Sequence, residues 1–232
     1  PPPKPLSFKD RNALYGPCAV VPPLMYHHIA TPSASTTGKG LYVSPEIFEN
    51  HLKYIQTLNY TPINMQQLIN FFDSSSPLPS KPLLLTFDDG YDDFGTNAVP
   101  LLTKYSIPAT LFLPTGLVEN KGYLNWSTIL SFPGSIFIAN HTWSHAGLYS
   151  NLSQIVREIT TAQTQLEDHQ LGSPRVFSYP YGTHSDLDLK VLNENRFLLA
   201  FTTIPGSTLC KKQRLNLPRI RVGAAALNNF GL

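Results

Sequence analysis

The chain has 232 residues, of which 42% are hydrophobic and only 14% charged. That is enough apolar material for a large core, and it excludes a disordered chain or a coiled coil. Seventeen Lys and Arg against fifteen Asp and Glu leave a net charge of +2, with no basic run suited to nucleic acid. A near-neutral chain suits a neutral or mildly charged partner such as a glycan. No apolar stretch is long enough to span a membrane.

The first seventeen residues, PPPKPLSFKDRNALYGP, are proline-rich and aperiodic. They read as an extended lead-in, residues 1–17, to a single domain over residues 18–232. Cys18 and Cys210 sit near opposite ends of the chain. They pair if the protein is exported, or remain two separate thiols, and the sequence favours neither. A short apolar run, VVPPLMYHHI, has the length of a buried strand and ends in His27 and His28.

Ser44-Pro45-Glu46 has the form of a helix start: a capping hydroxyl, a proline and an acid in the first turn. A second short helix is expected from Asn64, carrying Met65, Leu68 and Ile69. Residues 83–87, LLLTF, form a continuous apolar run, as in a strand covered on both faces. A helix disturbed by Pro100 follows over 93–105, then a strand, ATLFLP. A loop with Trp126 leads through a short helix to a strand at 135–139. Ser153 is the expected cap of a long polar helix that stops at Gly172. VFSYPYG, LLAFTT and LPRIRV are the remaining strands, with SDLDLKVLNEN helical between the first two.

Strand and helix therefore alternate about seven times, which implies a parallel sheet. At this length the leading solution is an α/β fold, a distorted (β/α) barrel of about seven strands. An open doubly wound sheet ranks second, and no GxGxxG follows the first strand.

Two motifs fall where strands of such a barrel end, the place where barrel active sites form. In TFDDG, residues 86–90, two adjacent carboxylates leave an apolar strand. One can bind a divalent metal while its neighbour stays ionised as a general base. The bland alternative is an ordinary Asp-Gly turn. In HTWSH, His141 and His145 are four residues apart. On a helical turn that spacing points both imidazoles the same way, toward one metal, although two capping histidines would look the same. Taken together, one Asp and two His make a facial triad with open positions, suited to zinc, cobalt, nickel or ferrous iron.

TFDDG, HTWSH and YPYG in this order resemble the polysaccharide deacetylases, the NodB homology domain of carbohydrate esterase family four, over about residues 83–203. The resemblance implies a NodB-like deacetylase barrel. It implies Asp88 as catalytic base and Asp89, His141 and His145 as ligands of a divalent metal, zinc being the first choice. It also implies Tyr181 as the residue whose backbone N–H helps hold the oxyanion. Two departures stand out. Ser178 occupies the place of the arginine that normally orients the base, and the late histidine motif is missing near the C-terminus.

LMYHHI at the front resembles the exported poly-β-1,6-N-acetylglucosamine deacetylase branch, in which late motifs are permuted to the N-terminus. His27 then matches the general acid, with His28 pointing away. Arg219 or Arg221, in LPRIRV, can replace the missing orienter, because a charged base needs a fixed cationic partner. Of the aromatics, Trp126 and Tyr91 are candidates to stack on sugar rings, as is Trp143, although each is more often plain packing. His51, His169 and His184 read as surface residues.

The resulting expectation is a metal-dependent enzyme that removes N-acetyl groups from an N-acetylglucosamine polysaccharide and works outside the cell, in the periplasm or at the cell surface. Peptidoglycan, chitin oligomers and acetyl-xylan are alternative substrates. A glycan-binding module without catalysis is the alternative of another class.

Overall fold

A computed structural model describes residues 6–148 and 151–232. Ten strands and seven α-helices are used below. The strands are β1 (Cys18–Val20), β2 (Pro23–Tyr26), β3 (Thr61–Pro62), β4 (Pro82–Asp88), β5 (Ala109–Leu113), β6 (Ile136–Asn140), β7 (Val176–Ser178), β8 (Leu199–Pro205), β9 (Thr208–Cys210) and β10 (Leu217–Arg221). The helices are α1 (Phe8–Tyr15), α2 (Pro45–Thr57), α3 (Met65–Ser74), α4 (Val99–Lys104), α5 (Trp126–Leu130), α6 (Leu152–Asp168) and α7 (Asp186–Glu194).

Seven parallel strands close a barrel in the order β2, β10, β8, β7, β6, β5, β4, with β4 pairing back to β2. These are the seven strands expected from the sequence. The short β3 pairs with the beginning of β4. Closure is tight at the first strand, where Pro23 to Tyr26 align with Leu84 to Phe87.

Alternation along β4 separates two environments. Leu83, Leu85 and Phe87 pack outward against helical residues such as Phe48 and Leu52 of α2 and Leu102 of α4. Leu84 packs with Phe112, Phe201 and Leu217 from other barrel strands. Thr86 and Asp88 keep this second parity, so the apolar interior becomes polar only at the carboxyl end. There Asp88, His141, Tyr181 and His27 follow or end β4, β6, β7 and β2.

Several local expectations are corrected. The lead-in is not all extended: residues 8–15 form α1, capped by the Ser7 side chain on the Asp10 amide. No residue of this helix is buried. Periodicity therefore gave no signal, and the helix is held by polar contacts, including Cys18 N–H to Asn12 Oδ1 at 2.8 Å and Lys212 Nζ to the Leu14 carbonyl at 3.1 Å. Residues 1–5 of that lead-in lie outside the described residues. Asn151, not Ser153, caps α6, and the Ser153 hydroxyl donates to the Asn151 side chain instead. The helix ends at Asp168 rather than Gly172. The helix expected over 93–105 is present and disturbed as expected: a π-helical turn, Phe94–Ala98, runs directly into α4, whose second residue is Pro100. His51 is 2% exposed, bonded to the Tyr26 hydroxyl and the Ala225 carbonyl.

Cys18 and Cys210 form a disulfide, between the antiparallel partners β1 and β9. It links residues 192 apart in sequence, so it removes much freedom from the unfolded chain. Replacing both cysteines by serine is expected to lower unfolding stability by about 2–5 kcal/mol, read as a lower urea midpoint. An unchanged midpoint would show that the cross-link constrains nothing the fold does not already hold.

Candidate active site

A cavity of about 310 Å³ opens at the carboxyl end of the barrel. His27, Asp88, Asp89, His141, His145 and Tyr181 all line it. Tyr91, Leu41, Thr203 and Arg221 complete the wall.

Asp88 is 3% exposed and would be costly to bury as an anion without a partner. Arg219, fully buried on β10, supplies that partner. Its Nη1 donates to Asp88 Oδ1 at 2.7 Å and its Nη2 to Oδ2 at 2.6 Å, a two-pronged pairing. The remaining N–H groups go to the Thr202 carbonyl, Thr86 Oγ1 and Ser178 Oγ, so all five donors are used. Of the two arginines in LPRIRV, Arg219 therefore contacts the Asp88 carboxylate, while Arg221 lines the cavity. Ser178, at the position of the arginine missing from YPYG, is short enough to leave room for Arg219 and accepts a hydrogen bond from it. Burial pushes the Asp88 carboxyl up, but Arg219, with His141 and His27, outweighs it and holds the group below the usual carboxylate range.

Asp89 follows in a tight turn. Asp89 and Gly90 both have positive φ, 76° and 71°. A Cβ on Gly90 would lie 2.5 Å from Leu113 Cδ1, so that position requires glycine. The turn sends Asp89 across the cavity toward the histidines. His141 Nε2 lies 3.5 Å and His145 Nε2 3.0 Å from Asp89 Oδ1. Oδ1 is nevertheless a buried oxygen without a hydrogen bond of good geometry. One ligand atom from each of the three residues lies within 4.8 Å of the others.

A buried, unpaired carboxylate oxygen facing one buried and one half-buried imidazole fits a divalent cation. His141 Nδ1 lies 2.7 Å from the Ser178 carbonyl, and as an N–H donor there it turns the Nε2 lone pair into the cavity. The two histidines meet through an irregular loop rather than a helical turn. Thr142 and His145 have φ of 68° and 59°, and the segment carries no helix.

His27 lies in the wall, with a buried Nδ1 that has no hydrogen-bond partner. Burial pushes its pKa down, against the opposing pull of Asp88 and Asp89. His28 turns away and binds Asp93 at 2.6 Å. Tyr181 has φ 61° at the rim, and its ring meets His145 edge-on at 5.0 Å.

The aromatic expectations need correction. Trp126 does not line the cavity: its ring is stacked on His169 at 3.9 Å and packs against the core. Trp143 packs under Arg157. Tyr91 does line the cavity, but His28 covers its ring at 3.7 Å and Tyr123 stacks on it at 5.2 Å. It therefore offers an edge and a hydroxyl rather than a free face. The continuous column Tyr42, His28, Tyr91, Tyr123 was not read from the sequence, because its members come from separate loops.

Fold and site together define a class, an α/β-barrel enzyme with its reactive groups at the carboxyl ends of the strands. The chain matches the family described as polysaccharide deacetylase over residues 75–199. It belongs to that family, with the NodB-like barrel of carbohydrate esterase family four. The Bacillus subtilis protein YxkH is 28% identical over 206 residues, 88% of this chain and 72% of that protein. A poly-β-1,6-N-acetyl-D-glucosamine N-deacetylase of Staphylococcus aureus is 23% identical, covering 99% of this chain and 85% of the relative. The Streptococcus pyogenes deacetylase PplD, solved with acetate, superimposes with a TM-score of 0.83 at 24% identity, over 90% of this chain and 95% of PplD. The matched span contains Asp88, Asp89, His141, His145 and Tyr181, whereas His27, Arg219 and Arg221 lie outside it.

The Asp88–Arg219 pair makes a prediction about stability. Arg219→Met strands a buried carboxylate and is expected to cost about 3–5 kcal/mol. Adding Asp88→Asn to the same chain removes the stranded charge and should recover a large part of that loss in equilibrium unfolding. Additive losses in the double variant would contradict the pairing.

Proposed function

We propose that the chain is a metal-dependent N-deacetylase that hydrolyses acetamido groups of an N-acetylglucosamine polymer, with the β-1,6-linked polymer as substrate. The observation that carries this reading is the meeting of Asp89, His141 and His145 beside a separately paired, ionised Asp88 in one cavity. The choice of linkage rests on the Staphylococcus aureus relative, aligned along almost the whole chain. Residues 18–232 act as one catalytic unit on this reading.

Asp89, His141 and His145 hold a divalent cation, zinc in the first instance. When bound, it supplies Lewis-acid activation of water and of the acetyl carbonyl. Asp88, kept charged by Arg219, accepts the proton of the attacking water. The Tyr181 backbone N–H faces the oxygen on which negative charge builds. His27 delivers a proton to the departing amine, a poor leaving group without one. Burial pushes the His27 pKa down, which makes its imidazolium the readier proton donor. The proton that Asp88 takes from the water balances the one that the His27 imidazolium gives to the amine, and its return through solvent restores both groups for the next turnover.

The disulfide fits a protein that works in an oxidising compartment, outside the cell or in the periplasm. No helix among the described residues is long and apolar enough to cross a membrane.

Acetate release from β-1,6 and β-1,4 acetylglucosamine oligomers tests the reading. The β-1,6 oligomers are expected to yield acetate, and Asp88→Asn to lose about 100-fold or more in kcat. Acetate from β-1,4 oligomers alone would reject the linkage, and acetate from neither would reject the activity. His27→Gln is expected to lower kcat by about 100-fold with little change in KM. A wild-type rate in that variant would remove His27 from the chemistry. Chelation should abolish release while the far-ultraviolet spectrum stays folded. Unfolding on chelation would instead mark a structural metal.

A further inference from the structure

Between the two imidazoles the chain passes through Thr142, Trp143 and Ser144 in an unusual path. Thr142 and His145 are both left-handed, a conformation that disfavours side chains and β-branched ones most. Such backbone persists where its surroundings over-determine it. Asn140 Oδ1 accepts the Thr142 N–H at 2.9 Å. The larger share of the support comes from one residue of α6 that lies outside the cavity. Glu158 Oε2 accepts the Trp143 N–H at 3.1 Å and the Ser144 N–H at 2.8 Å. Its Oε1 accepts the Ser144 hydroxyl at 2.8 Å. A single carboxylate therefore binds three donors of the short segment that separates the histidines. On the other side, the Trp143 carbonyl accepts the Gly116 N–H at 2.7 Å. A Cβ on Gly116 would lie 2.7 Å from that same carbonyl oxygen, so the loop is gripped from two sides.

We propose that Glu158 is a positioning residue for the cation site, setting the place of His145 through the Trp143–Ser144 backbone. This rests on the reading of Asp89, His141 and His145 as cation ligands. The carboxylate touches none of them among the contacts described, and acts only through the loop. Ligands fixed in advance bind more tightly than ligands that must be ordered on binding. The chemistry also predicts what can replace Glu158. A glutamine can accept both backbone N–H groups on Oε1, and its Nε2 can donate to the Ser144 hydroxyl, which rotates to accept. An alanine replaces none of the three bonds.

Zinc affinity of the folded protein, measured by competition with a chromogenic chelator, tests this without any glycan. Glu158→Ala is expected to bind zinc about 10–100-fold more weakly than wild type. Glu158→Gln should stay within about 3-fold, and Ser144→Ala, which deletes one of the bonds, should weaken binding by about 3-fold. Equal zinc affinity in wild type and Glu158→Ala overturns the proposal, as does a loss in Glu158→Gln as large as in Glu158→Ala. If Glu158→Ala does not fold, Ser144→Ala decides the matter, and unchanged affinity there overturns the proposal. Wild-type protein that binds no zinc overturns the cation reading itself, which separates the two failures.

Discussion

An ionised carboxylate buried at the floor of a barrel cavity is the constraint that organises this molecule. Asp88 is almost fully buried, and its charge is tolerable because Arg219 meets both of its oxygens. Arg219 in turn spends its other donors on Thr202, Thr86 and Ser178, so β4, β7, β8 and β10 are tied at one point. The barrel has to close for this to happen. The two members of the pair are 131 residues apart in sequence and meet because β2 bridges β4 and β10.

Division of labour follows from that pairing. Asp88 is pinned by a guanidinium, so its neighbour Asp89 is the carboxylate left to turn toward the histidines. The Asp89–Gly90 turn, with two successive left-handed residues, makes the separation possible over one peptide bond. The same polarity runs through the whole site. Groups on strands are fixed by cross-strand partners, and groups just beyond the strands are fixed by loops that have their own anchors. The loop from His141 to His145 is the second kind, and α6 is its anchor.

Much of this was legible in the sequence where the signal is local. Seven apolar runs with helical segments between them specified the barrel. TFDDG and HTWSH carry their reactive residues within five positions, so they can be recognised before any contact is known. Arg219 was reachable by argument, since a charged carboxylate in a site needs a cationic partner, but its separation from Arg221 depended on which face of β10 points inward. Glu158 was invisible for a different reason. A glutamate on a long polar helix looks like every other glutamate there until the loop it grips is folded against it. The helix α1 leaves no period in the sequence because it buries none of its residues. Trp126 and Tyr91 are candidates in the sequence to stack on sugar rings, but both rings are covered, Trp126 by His169 and Tyr91 by His28 and Tyr123.

The central claim is that one cation sits among the side chains of Asp89, His141 and His145. Crystals grown with zinc and measured at wavelengths on both sides of the zinc absorption edge test it directly. The account predicts one strong anomalous peak about 2.0–2.2 Å from a nitrogen of each imidazole and an oxygen of the carboxylate. A zinc peak elsewhere on the chain, with none among these three residues, would contradict it.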